Sequence, residues 1–408
     1  MSKDIPQVLK GFRDYLPKEA KARKQIISKI TQVFERFGFV PMDTPSLESF
    51  ELFQGKLGEE EKLMYKFQDL GEREVALRYD LTVPLARVLA ENNNLPKPFK
   101  RYQIGNVWRA DKPQKGRYRE FIQCDIDIVG SNSLLADAEV VAIISEAFKI
   151  LDIGEVTIKF NNRKIIDEAL ATLGVKETAN FLRLIDKLDK VGESKTAEAI
   201  KAQGFKIDLN AYRTEMKKAG KKFVDEFESL LSSLGVKNFG FNPTLARGLD
   251  YYTGTIFEFT LKDKPEFGSI AGGGRYDSLI GKISGKETPA VGGSIGLDRL
   301  FAALFDSGKL VSESDFLVMV FNLDENLASE YLKMVTTLRQ AGINTELYYE
   351  PAKMDKQFKY AESKNAKVAV IFGAEEAKAK KVNLKNLQAK EQVTVDLKDL
   401  VVKVKSMI

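Results

Sequence analysis

FKRYQIGNVWRADKPQKGRYREFIQCDIDIV, residues 99–129, decides how the first part of the chain is read. Two strand-like runs flank a loop rich in Lys, Arg, Gln and Gly. Successive strand residues point to opposite faces, so the second run separates Phe121, Gln123, Asp125 and Asp127 from Ile122, Cys124, Ile126 and Ile128. The apolar face needs a core. The polar face begins with an aromatic ring and ends on carboxylates, so it needs either water or a ligand. A solvated edge strand is the commoner meaning of such alternation. Against it stand Arg101, Arg109, Lys112, Lys115, Arg117 and Arg119, a density of cations that suits a nucleotide, with phosphate on guanidinium and base on the ring. Spacing alone leaves both readings open.

Outward from this hairpin, residues 18–37 carry Ile26, Ile27, Ile30, Val33, Phe34 and Phe37 at helical spacing, closed by Gly38. Thr82 reads as the cap of another helix with Pro84 in its first turn. Residues 133–151 have a further helical pattern. From about 161 to 235 the chain turns Lys/Glu/Ala-rich and helical, which suggests a separate insertion. Strand character and glycines return at 239–300. After a polar joint at 307–315, strands at 316–321, 343–348 and 367–372 alternate with helices at 325–341 and 355–364, an α/β unit of its own.

Two more stretches could bear chemistry. In LARGLDYYTGTIFEF (245–259), Arg247 and Asp250 precede adjacent Tyr251 and Tyr252. This is either a packed corner or a polar-ended aromatic pocket for a small planar ligand. AGGGRYDSLIG (271–281) precedes VGGSIGLDRLFAAL (291–304), where glycines lead into a helix start carrying Arg299. Such an approach suits an anion. It is neither a Walker loop nor a GxGxxG fingerprint.

Composition bounds what these residues can do. The 408 residues suggest about two to three domains. An apolar share of 44% with 30% charged residues excludes a disordered or collagen-like chain. Lys plus Arg exceeds Asp plus Glu by 63 to 58, a slight basic balance that weakly favours an acidic partner. The single cysteine, Cys124, excludes a disulfide framework and a CxxC zinc site. There is no histidine at all. Ser/His/Asp and Cys/His triads and histidine-ligated metals are therefore excluded, and the chemistry runs on Arg, Asp, Glu, Tyr and Gln or without a side-chain base. No apolar run reaches the ~18 residues of a membrane span, and the first residues lack a signal peptide's apolar core, so a cytoplasmic protein with no membrane partner is expected.

Taken in order, these segments resemble the histidyl-tRNA synthetases, class II aminoacyl-tRNA synthetases, over nearly the whole chain. The likeness rests on LKGFRDYLP (9–17), FGFVPMDTPSLE (37–48), LRYDLTVPLAR (77–87), residues 99–129, ARGLDYYTG (246–254), AGGGRYD (271–277), GLDRL (296–300) and KQFKYAESKNAKVAVIFG (356–373). It implies an α/β protein of the α+β type. An antiparallel-sheet catalytic domain would cover 1–160 and 236–310, interrupted by a helical insertion at 161–235, with an α/β anticodon-binding domain at 315–408. It also implies a homodimer that ligates L-histidine to its tRNA through a histidyl-adenylate, with ATP as substrate and Mg2+ beside it. The rival is a non-catalytic, synthetase-like regulatory subunit of ATP phosphoribosyltransferase. Such proteins usually lack the anticodon domain and degrade RGLDYY, and both are intact here.

By position, the resemblance makes Arg109 and Arg247 the catalytic pair on the α-phosphate, with Arg299 on the γ-phosphate side. Phe121 would stack on adenine while Asp111 and Arg117 place the nucleotide. Asp80, Leu81, Thr82 and Gln123 would surround histidine's amino and carboxylate groups. Asp127, Tyr251 and Tyr252 would meet the imidazole, and Gln114 would lie near the first base pair of the tRNA. The chain departs from the family at Ile122, where many bacterial members carry histidine, and at Asp111 and Asp127, which are shorter than the glutamates of those relatives.

Overall fold

The computed structural model describes residues 6–92, 94–114, 116–186, 188–246, 251–308 and 317–408. The chain divides into two units, Met1–Val311 and Ser312–Ile408.

In the first unit, helix α1 (Pro17–Arg36) precedes the short strand β1 (Val40–Pro41). Strands β2 (Leu47–Ser49), β3 (Lys66–Gln68) and β4 (Glu74–Leu77) form a small antiparallel sheet. Helix α2 (Thr82–Glu91) leads to β5 (Phe99–Trp108), β6 (Glu120–Val129), α3 (Leu134–Ile150) and β7 (Val156–Asn162). Next come the helices α4 (Arg163–Thr172), α5 (Thr178–Ile185), α6 (Leu188–Val191), α7 (Glu193–Ala202) and α8 (Leu209–Ser233). The unit closes with β8 (Phe239–Phe241), β9 (Thr255–Leu261), β10 (Ser269–Arg275), α9 (Gly281–Ser284), β11 (Ala290–Gly296) and α10 (Leu297–Asp306).

Among the described residues the main sheet has eight strands in the order β1-β5-β6-β11-β10-β9-β7-β8, antiparallel except for the outermost pair at each edge. Strand β6 is therefore interior: Asp125 lies opposite Gln103 of β5 on one side and Ser294 of β11 on the other. The edge-strand reading fails. Cys124, Ile126 and Ile128 pack with Ile30, Phe34, Val140, Ile144 and Phe301 in the main core under α1, α3 and α10. The polar set Gln123, Asp125 and Asp127 is also buried, so it faces a site rather than bulk water.

One local expectation is corrected. Thr82 does not cap α2; the Asp80 carboxylate does, its Oδ1 accepting from the Thr82 and Val83 amides at 3.2 and 2.9 Å. The capping side chain sits one residue earlier than the boundary residue, because a carboxylate two to three positions back reaches free first-turn amides. The triple glycine 272–274 lies within strand β10. A Cβ at Gly273 would stand 2.1 Å from the Gly292 carbonyl oxygen, so β10 and β11 approach more closely than side chains allow.

Helices α4 to α8 enclose a core of their own around Ile166, Phe181, Tyr212 and Met216, while Phe227 and Leu231 of α8 join the main core. The second unit runs β12 (Val318–Val320), α11 (Ala328–Gln340), β13 (Thr345–Leu347), α12 (Met354–Ser363), β14 (Val368–Ile371), α13 (Ala374–Ala379), β15 (Lys381–Asn386), β16 (Gln392–Asp396) and α14 (Leu400–Met407). Its sheet has the order β13-β12-β14-β15-β16, parallel across the first three and antiparallel across the rest. The antiparallel pair β15–β16 was not anticipated from the sequence.

Candidate active site

A cavity of about 290 Å³ opens along the polar face of β6. Phe121, Gln123, Asp125 and Asp127 all line it. Six residues of strand at ~3.3 Å each separate Phe121 from Asp127 by about 20 Å, which makes the cleft long enough for two ligands end to end.

The Phe121 end is cationic. Gly116, Arg117 and Tyr118 from the hairpin loop face Arg299 from the first turn of α10. Arg117 donates to Asp111 Oδ2 through Nε (3.1 Å) and Nη2 (2.8 Å), which ties the loop to its own base. Arg299 Nη1 is anchored on the Ser269 carbonyl at 2.5 Å.

At the middle of the cleft stands Arg109. Its Nε donates to the Tyr79 carbonyl (3.1 Å) and its Nη2 to Gln123 Oε1 (3.4 Å). The guanidinium lies 4.2 Å from the Tyr79 ring centroid and 5.2 Å from that of Phe121, so aromatic faces hold it from both sides. Gln123 is fixed in turn by donating through Nε2 to Ser294 Oγ at 2.8 Å.

The Asp127 end is acidic and aromatic. Asp80, Asp125 and Asp127 are all buried, and loss of hydration pushes each carboxyl above its ordinary range, Asp125 up to about 7. Asp127 is paired through Oδ2 with Arg101 at 2.7 Å, while Tyr276 donates its hydroxyl to Oδ1. Asp125 Oδ1 and Asp80 Oδ2 are buried without a hydrogen-bond partner. Buried polar atoms of this kind normally have partners, so these two point to a donor-rich ligand. Tyr251 stands edge-on to Tyr252 (centroids 5.1 Å apart) and to Tyr276 (5.9 Å) and hydrogen-bonds Thr82, giving one aromatic wall. A Cβ at Gly292 would fall 2.0 Å from Asp127 Oδ1, so only glycine leaves space for that carboxylate.

Asp80, Thr82, Arg109, Asp111, Arg117, Phe121, Gln123, Asp127, Tyr251, Tyr252 and Arg299 thus meet in one cleft. Leu81 does not line it; its side chain is buried and its carbonyl accepts from Arg101 at 3.0 Å. Gln114 is exposed in the hairpin loop, where its backbone bridges to Arg117. Arg247 and Asp250 lie outside the described residues. Sequence reasoning counted Arg101 among the nucleotide-facing cations rather than as the partner of Asp127, and it missed Tyr276 and Ser294. A signal existed for Arg101, which alternates onto the same face as Gln103 once the hairpin register is known. Tyr276 sat in AGGGRYD, but nothing local tells a wall tyrosine from a packed one.

Comparison with known proteins shows the family and the fold. The family model described as histidyl-tRNA synthetase matches residues 11–300, and the model described as anticodon binding domain matches 317–407. A histidine–tRNA ligase of Rhodopirellula baltica is 42% identical, the match covering 96% of this chain and 95% of that protein. The crystal structure of histidyl-tRNA synthetase from Nostoc superposes with a TM-score of 0.83 at 34% identity, covering 98% of this chain and 99% of the other. A Bacillus halodurans structure titled ATP phosphoribosyltransferase regulatory subunit/histidyl-tRNA synthetase has a TM-score of 0.71 at 22% identity over 86% of this chain and 95% of the other, a likeness of fold alone. The regulatory-subunit reading is the weaker one.

Proposed function

Because the chain belongs to the histidyl-tRNA synthetase family, we propose that the cleft along β6 is where its histidine–tRNA ligase activity is carried out. ATP takes the Phe121 end, with adenine on the ring and phosphates toward Arg109, Arg117 and Arg299. Histidine takes the Asp127 end, its ammonium near Asp80 and its ring between Asp127 and the tyrosines. The observation that carries this reading is the place of Arg109, whose guanidinium touches Gln123 at the junction of the two ends.

Histidine's carboxylate is ionised at neutral pH, so attack on the α-phosphorus needs no general base. One carboxylate oxygen bonds to phosphorus, the bond to the bridging oxygen breaks, and pyrophosphate leaves. The barrier lies in aligning two anions and holding the charge that gathers on the α-phosphoryl oxygens. Arg109 supplies one guanidinium there, and Arg247 is proposed as its counterpart on the other side. The tRNA's terminal hydroxyl then takes the acyl group and releases AMP. This chemistry is compatible with a chain that has no histidine.

Among the described residues no three acidic or thiol side chains converge to hold a metal. Mg2+ is assigned as the counter-ion of substrate ATP. The homodimer reading rests on the family, and no described helix is long and apolar enough to cross a membrane. A cytoplasmic location follows the family alone.

ATP–pyrophosphate exchange across the twenty amino acids tests the assignment. Histidine alone should support exchange, and Arg109→Ala should lower turnover by ~10²–10³, the scale of one preorganised donor. Exchange with another amino acid, or a near-native Arg109→Ala rate, would overturn it.

A further inference from the structure

We propose that residues 10–23 form a positioning strap that fixes the nucleotide end of the cleft before ATP binds, acting through the hairpin loop and through Asp298. The proposal rests on the assignment of ATP to the Phe121 end.

The first attachment is a single carboxylate. Asp298 is 2% exposed and belongs to the first turn of α10, immediately before Arg299. Tyr15 donates its hydroxyl to Asp298 Oδ1, and Arg23 Nη1 donates to the same oxygen at 2.6 Å. Asp298 Oδ2 accepts from the Ile122 amide at 2.9 Å, next to Phe121. One buried acid therefore ties together the strap, the strand that carries Phe121 and the helix that carries Arg299. Arg23 lies over the Tyr15 ring, 3.8 Å from its centroid, so the hydroxyl and the guanidinium reach the acid as one stacked unit. Burial and the neighbouring carboxylate keep the Tyr15 phenol protonated, hence a donor.

The second attachment holds the loop that carries Arg117. The Arg119 amide donates to the Gly11 carbonyl at 2.8 Å, and Arg119 Nη1 to the Lys10 carbonyl at 3.2 Å. Arg13 Nη1 donates to the Tyr118 hydroxyl at 3.1 Å. Gly11 has φ +89°, and a Cβ there would stand 2.7 Å from Arg119 Cδ. The position requires glycine twice, for its backbone and for its contact. None of these strap residues lines the cleft. They act through Arg117, Phe121 and Arg299.

Tyr15→Phe removes one donor and keeps the stacked ring, and Gly11→Ala pushes the strap off the loop. Calorimetric titration of the full-length variants with ATP and with histidine separately reads the effect, with the thermal midpoint followed alongside. Displacing binding groups by about an ångström costs on the order of tenfold or more, so ATP affinity should fall by at least that factor while histidine affinity stays within about twofold. Arg13→Ala, whose side chain is 32% exposed, carries the same test should a buried-site variant not fold. Unchanged ATP affinity in the variants, or ATP and histidine affinities falling in parallel, would overturn the strap. A parent protein that binds ATP but not histidine would overturn the functional assignment instead and leave the ATP readout standing.

Discussion

Arg101 Nη2 lies 2.7 Å from Asp127 Oδ2, and both side chains are closed to solvent. The guanidinium also reaches the Leu81 carbonyl at 3.0 Å and Gln103 Oε1 at 3.4 Å, so its orientation is set from three sides. A buried ion pair contributes little net stability, because dehydration of both ions offsets their attraction. Its effect here is on geometry. Arg101 compensates Asp127 from behind, and Tyr276 holds the other oxygen, so the carboxylate faces the cleft in one orientation before any ligand enters.

Tyr276→Phe therefore leaves a buried carboxylate oxygen short of a donor without changing side-chain volume much. The penalty for such a group is about 1–3 kcal/mol. Histidine KM in pyrophosphate exchange should rise on the order of tenfold while ATP KM moves little. Equal changes in both constants would count against a histidine-end role for this tyrosine.

Asp125 makes stability depend on pH. Burial lifts its carboxyl from an ordinary 3.8 to about 7, with Asp127 and Asp80 adding to the effect and Arg101 and Ser294 opposing it. The folded protein then holds this proton more tightly than the unfolded chain. That contribution is complete below about pH 4 and is lost as pH rises through about 7. Asp125→Asn should flatten the stability profile across that window and be more stable than the parent above pH 7. Thermal midpoints at successive pH values read this, and parallel profiles for the two proteins would refute it.

Legibility of the site followed the distance between partners. The two faces of residues 120–129 could be read because alternation is local, and so could the meeting of Tyr251 with Tyr252. Whether that strand lay inside a sheet or at its edge depended on β11, more than 150 residues later, and the polar face acquired its meaning only from that pairing. Arg23 and Asp298 are 275 positions apart, Tyr276 and Asp127 149, and no periodicity links such pairs. LKGFRDYLP stood out as a motif, but its contacts with the loop at 117–119 are tertiary. Strand β15 escaped notice because KVNLKN carries lysine and asparagine on its half-exposed face.

In the second unit, Tyr349 is 80% exposed just beyond β13, at the carboxyl end of the parallel strands, where ligands gather in such sheets. Its backbone is not loose. Asn322, just past β12, donates through Nδ2 to the Tyr349 carbonyl at 2.9 Å. Gln357, fully buried, accepts from the Asn322 amide at 2.8 Å and donates to its carbonyl at 2.6 Å. An aromatic face on a rigid support is what stacking on an unpaired base requires, at ~1–3 kcal/mol per base. Since 317–407 matches an anticodon-binding domain, Tyr349→Ala should weaken tRNA binding by ~5–150-fold. Tyr349→Phe should retain it, and ATP–pyrophosphate exchange should be unchanged in both. The slope of affinity against salt should also hold, because stacking releases no counter-ions. Filter binding at several salt concentrations measures all of this. A shallower slope in Tyr349→Ala would mean that phosphate contacts, not a stacked base, were lost.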